Sequence, residues 1–245
     1  LFHGTHSSPD PTRNNQIEFV TIASTGNAAD FGDLTEQGHG YNSGSSNGVR
    51  GLLSIQSTSA DTENNIINYV TIASTGNAID FGDLTIGAYA RKANVASPVR
   101  SCWAGGIDGT TPTSRVIDYV MISTTGNAAN FGDLTQASRE GTGCSNAVRG
   151  FYFSGSGGTD NQIEAITIAT LGDAFDFGDL TYSAEAAGGG ASPTRAISAG
   201  GTDSGGKNTI DYWQIMTTGN AIDFGDRTVA LYGCGVASNG HGGLG

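Results

Sequence analysis

One phrase recurs five times along this chain of 245 residues, and a tandem repeat limits the available folds more than any other feature of it. Residues 17–35 read IEFVTIASTGNAADFGDLT, 67–85 INYVTIASTGNAIDFGDLT and 117–135 IDYVMISTTGNAANFGDLT. Residues 163–181 read IEAITIATLGDAFDFGDLT and 210–228 IDYWQIMTTGNAIDFGDRT. The Phe of the Phe-Gly step falls at Phe31, Phe81, Phe131, Phe177 and Phe224, at spacings of 50, 50, 46 and 47 residues. Periods of this size belong to solenoids and propellers. The ends separate the two. Thirty residues precede Phe31 and 21 follow Phe224, so the step from Phe224 round through the termini to Phe31 is 52, one further period. A solenoid needs atypical capping units at its ends. A chain cut inside a unit with no remainder instead predicts a ring whose last unit is completed from both termini.

Each unit reads as four short β segments. Strong β formers run through residues 67–72, Gly and Asn after them supply a hairpin turn at 74–77, and a second strand follows through Ile79, Phe81 and Leu84. A Ser/Asn-to-Arg element (47–50, 97–100, 146–149, 192–195) leads into a further apolar strand (51–55, 102–104, 151–153, 196–199). Four strands per unit make a propeller blade. The expectation is therefore all-β: one domain over residues 1–245, a five-bladed propeller with residues 1–3 and 231–244 contributing strands to a shared blade.

Lys and Arg number 11 against 23 Asp and Glu, a net charge of −12, which argues against a nucleic-acid backbone or an anionic membrane surface as partner. No run approaches the ~18 apolar residues of a membrane span. Gly supplies 39 residues, as a turn-rich β chain requires. Cys102, Cys144 and Cys234 are too few for a disulfide framework and read as small buried hydrophobes.

The Gly pairs closing strands at Gly105-Gly106 and Gly200-Gly201, the aromatic with a Leu beyond it, and the later Arg resemble a degenerate kelch repeat. The DFGDLT strand stands where kelch has Trp-x-x-Leu, with no Trp in that column. The phrase TGNAxDFGDLT resembles tandem repeats of tail-fibre and virion proteins of marine bacteriophages, over all five units. That resemblance implies a virion-surface or extracellular location, contact with a receptor or with other virion proteins, and no catalytic residues.

The repeated Asp-Phe-Gly triplet is no kinase motif, since no Gly-rich loop, strand lysine or catalytic HRD accompanies it. The five Phe are expected to pack between units, each following Gly permitting a bulge. The pairs Asp30/Asp33, Asp80/Asp83, Asp176/Asp179 and Asp223/Asp226, with Asn130/Asp133, supply too few oxygens for calcium. One Asp per unit reads as a turn cap accepting backbone N–H bonds. His3, His6, His39 and His241 recur in no unit and read as solvent-facing, so neither metal nor cofactor is expected. No nucleophile elbow occurs. What varies between units is two sets of connectors rich in Ser, Thr, Asn and Gly, with Tyr41, Tyr89, Trp103, Tyr182 and Tyr232 in or near them. Hydroxyls and amides beside aromatic faces suit sugars. The leading expectation is a non-catalytic recognition module for a cell-surface glycan or receptor. A structural virion component follows, and a glycan-degrading enzyme trails.

Overall fold

The computed structural model describes residues 1–3, 14–38, 43–55, 63–88, 92–107, 113–157, 161–231, 233 and 235–236. Within them the chain forms only β structure, and each repeat builds its own antiparallel sheet. The first sheet holds β1 (Phe2–His3), β2 (Gln16–Phe19) and β3 (Ala29–Asp33). The second holds β4 (Ser43–Ser46), β5 (Arg50–Ser54), β6 (Asn64–Thr71) and β7 (Ile79–Ala88). The third holds β8 (Ala93–Ala96), β9 (Arg100–Ala104), β10 (Ser114–Met121) and β11 (Ala129–Ser138). The fourth holds β12 (Thr142–Ser145), β13 (Arg149–Phe153), β14 (Gln162–Thr167) and β15 (Phe175–Asp179). The fifth holds β16 (Gly188–Ala191), β17 (Arg195–Ala199), β18 (Lys207–Gln214) and β19 (Ile222–Leu231). In every sheet the strands lie side by side in chain order.

Local chemistry sets the links. Between β4 and β5, Asn47 Oδ1 accepts the N–H groups of Val49 and Arg50, an Asx turn. Ser97, Asn146 and Ser192 repeat it in the next three sheets. The link from β6 to β7 differs from the expected tight hairpin. It spans residues 72–78, and its Gly-Asn-Ala portion leaves the sheet to bond the neighbouring one. Within the β6–β7 ladder, Ile67 faces Gly82 and Asn68 faces Asp80, so Phe81 is the extra residue of a β-bulge. The same shift occurs between β2 and β3, β10 and β11, β14 and β15, and β18 and β19.

The apolar core is divided into clusters, each sandwiched between neighbouring sheets. Ile17, Phe31 and Leu34 meet Leu53 and Val70; Ile67, Phe81 and Leu84 meet Trp103 and Val120. Ile117, Phe131 and Leu134 meet Tyr152 and Ile166; Ile163, Phe177 and Leu180 meet Trp213 and Ile215. The short strands β4, β8, β12 and β16 run beside one another, which fixes the inner edge of the stack. Cys102 and Cys144 are buried, as expected; Cys234 lies outside the described residues.

The sequence count implied a fifth such interface, and among the described residues it is not made. Phe31, Phe81, Phe131 and Phe177 are 2–4% exposed, whereas Phe224 is 60% exposed. Ile122, Ile168 and Ile215 are fully buried, whereas Ile22, in the same column, is 99% exposed. β1 pairs with β2, and most of the residues expected to share its sheet, 231–244, lie outside the described set.

Candidate functional site

The repeated acids hold the scaffold together. Asp30, Asp80 and Asp223 each accept the N–H of the glycine two residues on, through Oδ1, at 2.8–3.1 Å. This clamps the bulge. A bulged residue is left out of its own ladder, so the Phe31 carbonyl is available to accept the N–H of Gly76 in the next sheet. The Asp33 carbonyl accepts the Ala78 N–H, and the Asp33 N–H donates to Asn77 Oδ1. Phe81 and Asp83 clasp residues 126–128 in the same way, Phe131 and Asp133 clasp 172–174, and Phe177 and Asp179 clasp 219–221. The glycine between Phe and Asp is obligatory here. Gly82 has φ +140°, and a Cβ on it would lie 2.5 Å from the Gly126 carbonyl. Asp226 is the exception: Gly225 has φ +136° but nothing within 4 Å of its Cβ direction.

A second set of contacts escaped the sequence reading. In each unit one residue follows the first Ile of the phrase: Glu18, Asn68, Asp118, Glu164 and Asp211. The last four are buried in the interfaces, although they stand in β strands. Asn68 Oδ1 accepts the Thr35 N–H. Asp118 accepts the Thr85 N–H at 3.1 Å and its hydroxyl at 2.5 Å, and Asp211 binds Thr181 through the same two groups. Glu164 accepts both from Thr135. Burial pushes the Asp118 and Glu164 carboxyls above the ordinary range, against the opposing pull of these bonds and of Lys92 and Arg115. The signal was available as an acid or amide in an otherwise apolar strand column, five times over. A third contact joins neighbours: one guanidinium nitrogen each of Arg50, Arg100 and Arg149 donates to the carbonyl of Ile122, Ile168 and Ile215.

Of the five aromatic residues expected to bind ligand, Trp103 and Tyr182 lie among the described residues, and both are engaged within the fold. Trp103 is a core residue, fully buried in β9 between two sheets, because its column faces the neighbouring sheet. Tyr182 is half-buried, and its hydroxyl donates to the Gly200 carbonyl and pairs with Ser198 Oγ, both at 3.0 Å. Tyr41, Tyr89 and Tyr232 lie outside the described residues, as do His6, His39 and His241. Among the described residues no three His, Cys, Asp or Glu side chains gather as a metal site would require.

What the fold does assemble is a cavity of about 510 Å³ at the inner edge of the sheets. β4, β8, β12 and β16 line it, with Leu1 from the first described segment and Val236 from the last. Its polar side chains are Ser45, Ser46, Asn94 and Ser145. Among the described residues that line it, no side chain is charged. These strands were expected to be variable connectors; their Gly and Ser content is instead a packing demand. A Cβ on Gly143 would lie 2.2 Å from the Asn94 carbonyl oxygen. Ser145 Oγ donates to the Ala96 carbonyl and accepts its N–H, tying β8 to β12. No protein-family model matches this sequence, and no curated protein matches it either.

Proposed function

We propose that this chain is a non-catalytic recognition module, its five sheets the blades of a propeller that presents connectors and a central cavity to a cell-surface glycan. The observation that carries the reading is where the repeated polar groups go. Asn77, Asn127 and Asn220, Thr85, Thr135 and Thr181, and Asp30, Asp80 and Asp223 of the repeated phrase are taken up through their side chains by bonds within and between sheets. Variation between units is therefore left to the connectors, the arrangement by which a rigid framework displays binding groups. Ser and Asn side chains, with no charged side chain among the described lining residues, suit neutral hydroxylated ligands. Repetition of weak sites around one axis raises avidity for a dense surface. The phage-repeat resemblance supports the same role at a virion surface.

A glycan array run with the purified chain, in calcium and again in EDTA, tests this. The expected result is binding to one class of neutral sugar that survives EDTA, because Asp30, Asp80 and Asp223 are engaged with backbone N–H groups and no three acids gather among the described residues. A blank array in both buffers overturns the reading. A structural virion role through protein contacts is the competing reading, supported by the same phage-repeat resemblance, which extends to tail-fibre and virion proteins. A blank array together with tight self-association selects it.

A further inference from the structure

We infer that the exposed face of the β16–β19 sheet and the exposed face of the β1–β3 sheet are the two halves of a fifth interlock, and that they close on each other within one chain. The inference rests on the propeller scaffold and not on its ligand, so a blank glycan array leaves it standing.

The four interlocks that are made define what a fifth requires. One side must supply a bulged Phe, a Gly of positive φ, an Asp and a Thr. The other must supply Gly, then Asn or Asp, then Ala, with a buried acid or amide for the Thr. The β16–β19 sheet carries Phe224, Gly225, Asp226 and Thr228; the first sheet carries Gly26, Asn27, Ala28 and Glu18. Arg195 stands where Arg149 reaches the Ile215 carbonyl, and Ile22 stands where Ile215 does. The first half is already shaped for use. Gly225 has φ +136°, its N–H is held by Asp223 Oδ1 at 2.8 Å, and Phe224 rests edge-on against Tyr212 at 6.0 Å. Phe81 on Tyr69 and Phe131 on Tyr119 show the same ring geometry at 5.9 and 6.0 Å, inside closed interfaces.

Two features depart: Arg227 replaces the Leu of the other four units, and Gly26 lacks the positive φ of Gly76, Gly126, Gly172 and Gly219. Register places Arg227 beside Thr228, whose counterparts bond the residue in the Glu18 column, so the seam sets a guanidinium near a carboxylate. The occupant is the chain's own first sheet because Leu1 and Val236 line one cavity, so the two faces flank a single seam. A tethered partner also outcompetes a free copy through its effective concentration.

Hydrogen exchange on the unmodified chain tests this directly. The Gly26 and Ala28 amides should be protected like those of Gly76 and Ala78; exchange at the unprotected rate overturns the proposal. Cross-linking separates the occupants. In a Cys234→Ser background, the pair Asn27→Cys and Asp226→Cys is treated with a short bismaleimide, beside the pair Asn127→Cys and Asp83→Cys as a made-interface standard. An intrachain link forming within about threefold of the standard's rate is expected. An interchain ladder assigns the faces to a second copy and overturns closure within the chain. No link while the standard reacts also overturns it.

Discussion

Asp118 and Glu164 are carboxyls inside an apolar interface, satisfied by threonine but still short of solvent. Burial raises their protonation range in the folded state. Between the ordinary carboxylate value of about 4 and that raised value, the folded chain holds protons the unfolded chain has lost. Their contribution to stability therefore falls as pH rises through that window and stays low above it. The variants Asp118→Asn and Glu164→Gln remove the titration, and Asn68 shows that an amide fits this column. Urea unfolding at pH 4 and pH 7 should show each variant gaining on the parent as pH rises. A difference independent of pH refutes the account. The glycines make a second residue-scale prediction. Gly82→Ala meets the Gly126 backbone, whereas Gly76→Ala meets nothing within 4 Å and carries backbone strain alone. Thermal unfolding should show Gly82→Ala the costlier of the two by about 1–3 kcal/mol.

At the scale of the element, the connection from the third strand to the fourth acts as a clasp. Residues 126–128 offer two N–H groups and one side-chain oxygen to the bulged strand of the sheet before them. Asn127→Ala removes the acceptor of the Asp83 N–H and should lower stability by about 0.5–1.5 kcal/mol, read as a shift in denaturant midpoint at unchanged slope. Strand β7 was legible from Ile79, Phe81 and Leu84, because alternation and β-branched residues mark a half-buried strand. The bulge was legible from the glycine after each Phe. Strands β4 and β16, reading SGSS and GGGA, were not. Such residues carry no β preference; their extended state comes from pairing with β5 and β17, and their small size from the approach of the next inner strand. Trp103 failed for the complementary reason. An aromatic beside a Gly-rich loop reads as exposed, but its strand faces the sheet of the preceding unit.

For the molecule as a whole, no sheet owns a core: each apolar cluster belongs to two neighbours. Stability then propagates from unit to unit as in other repeat proteins. Phe131→Ala opens the central interface and should cost about 3–5 kcal/mol. Hydrogen exchange after that substitution should rise on both the β8–β11 and the β12–β15 sheets. A rise confined to the sheet that carries Phe131 contradicts shared cores.

The repeated phrase by itself determined the number of units, the all-β class, the bulge and the Phe column. Each of these depends on residues close in sequence, whose spacing and backbone preferences are read directly. Where the Asp118 column is buried, why β4 and β16 are strands, and which aromatics face outward were decided only by the tertiary structure. Those properties belong to contacts between units about 50 residues apart, and one repeat does not record which neighbour it will meet.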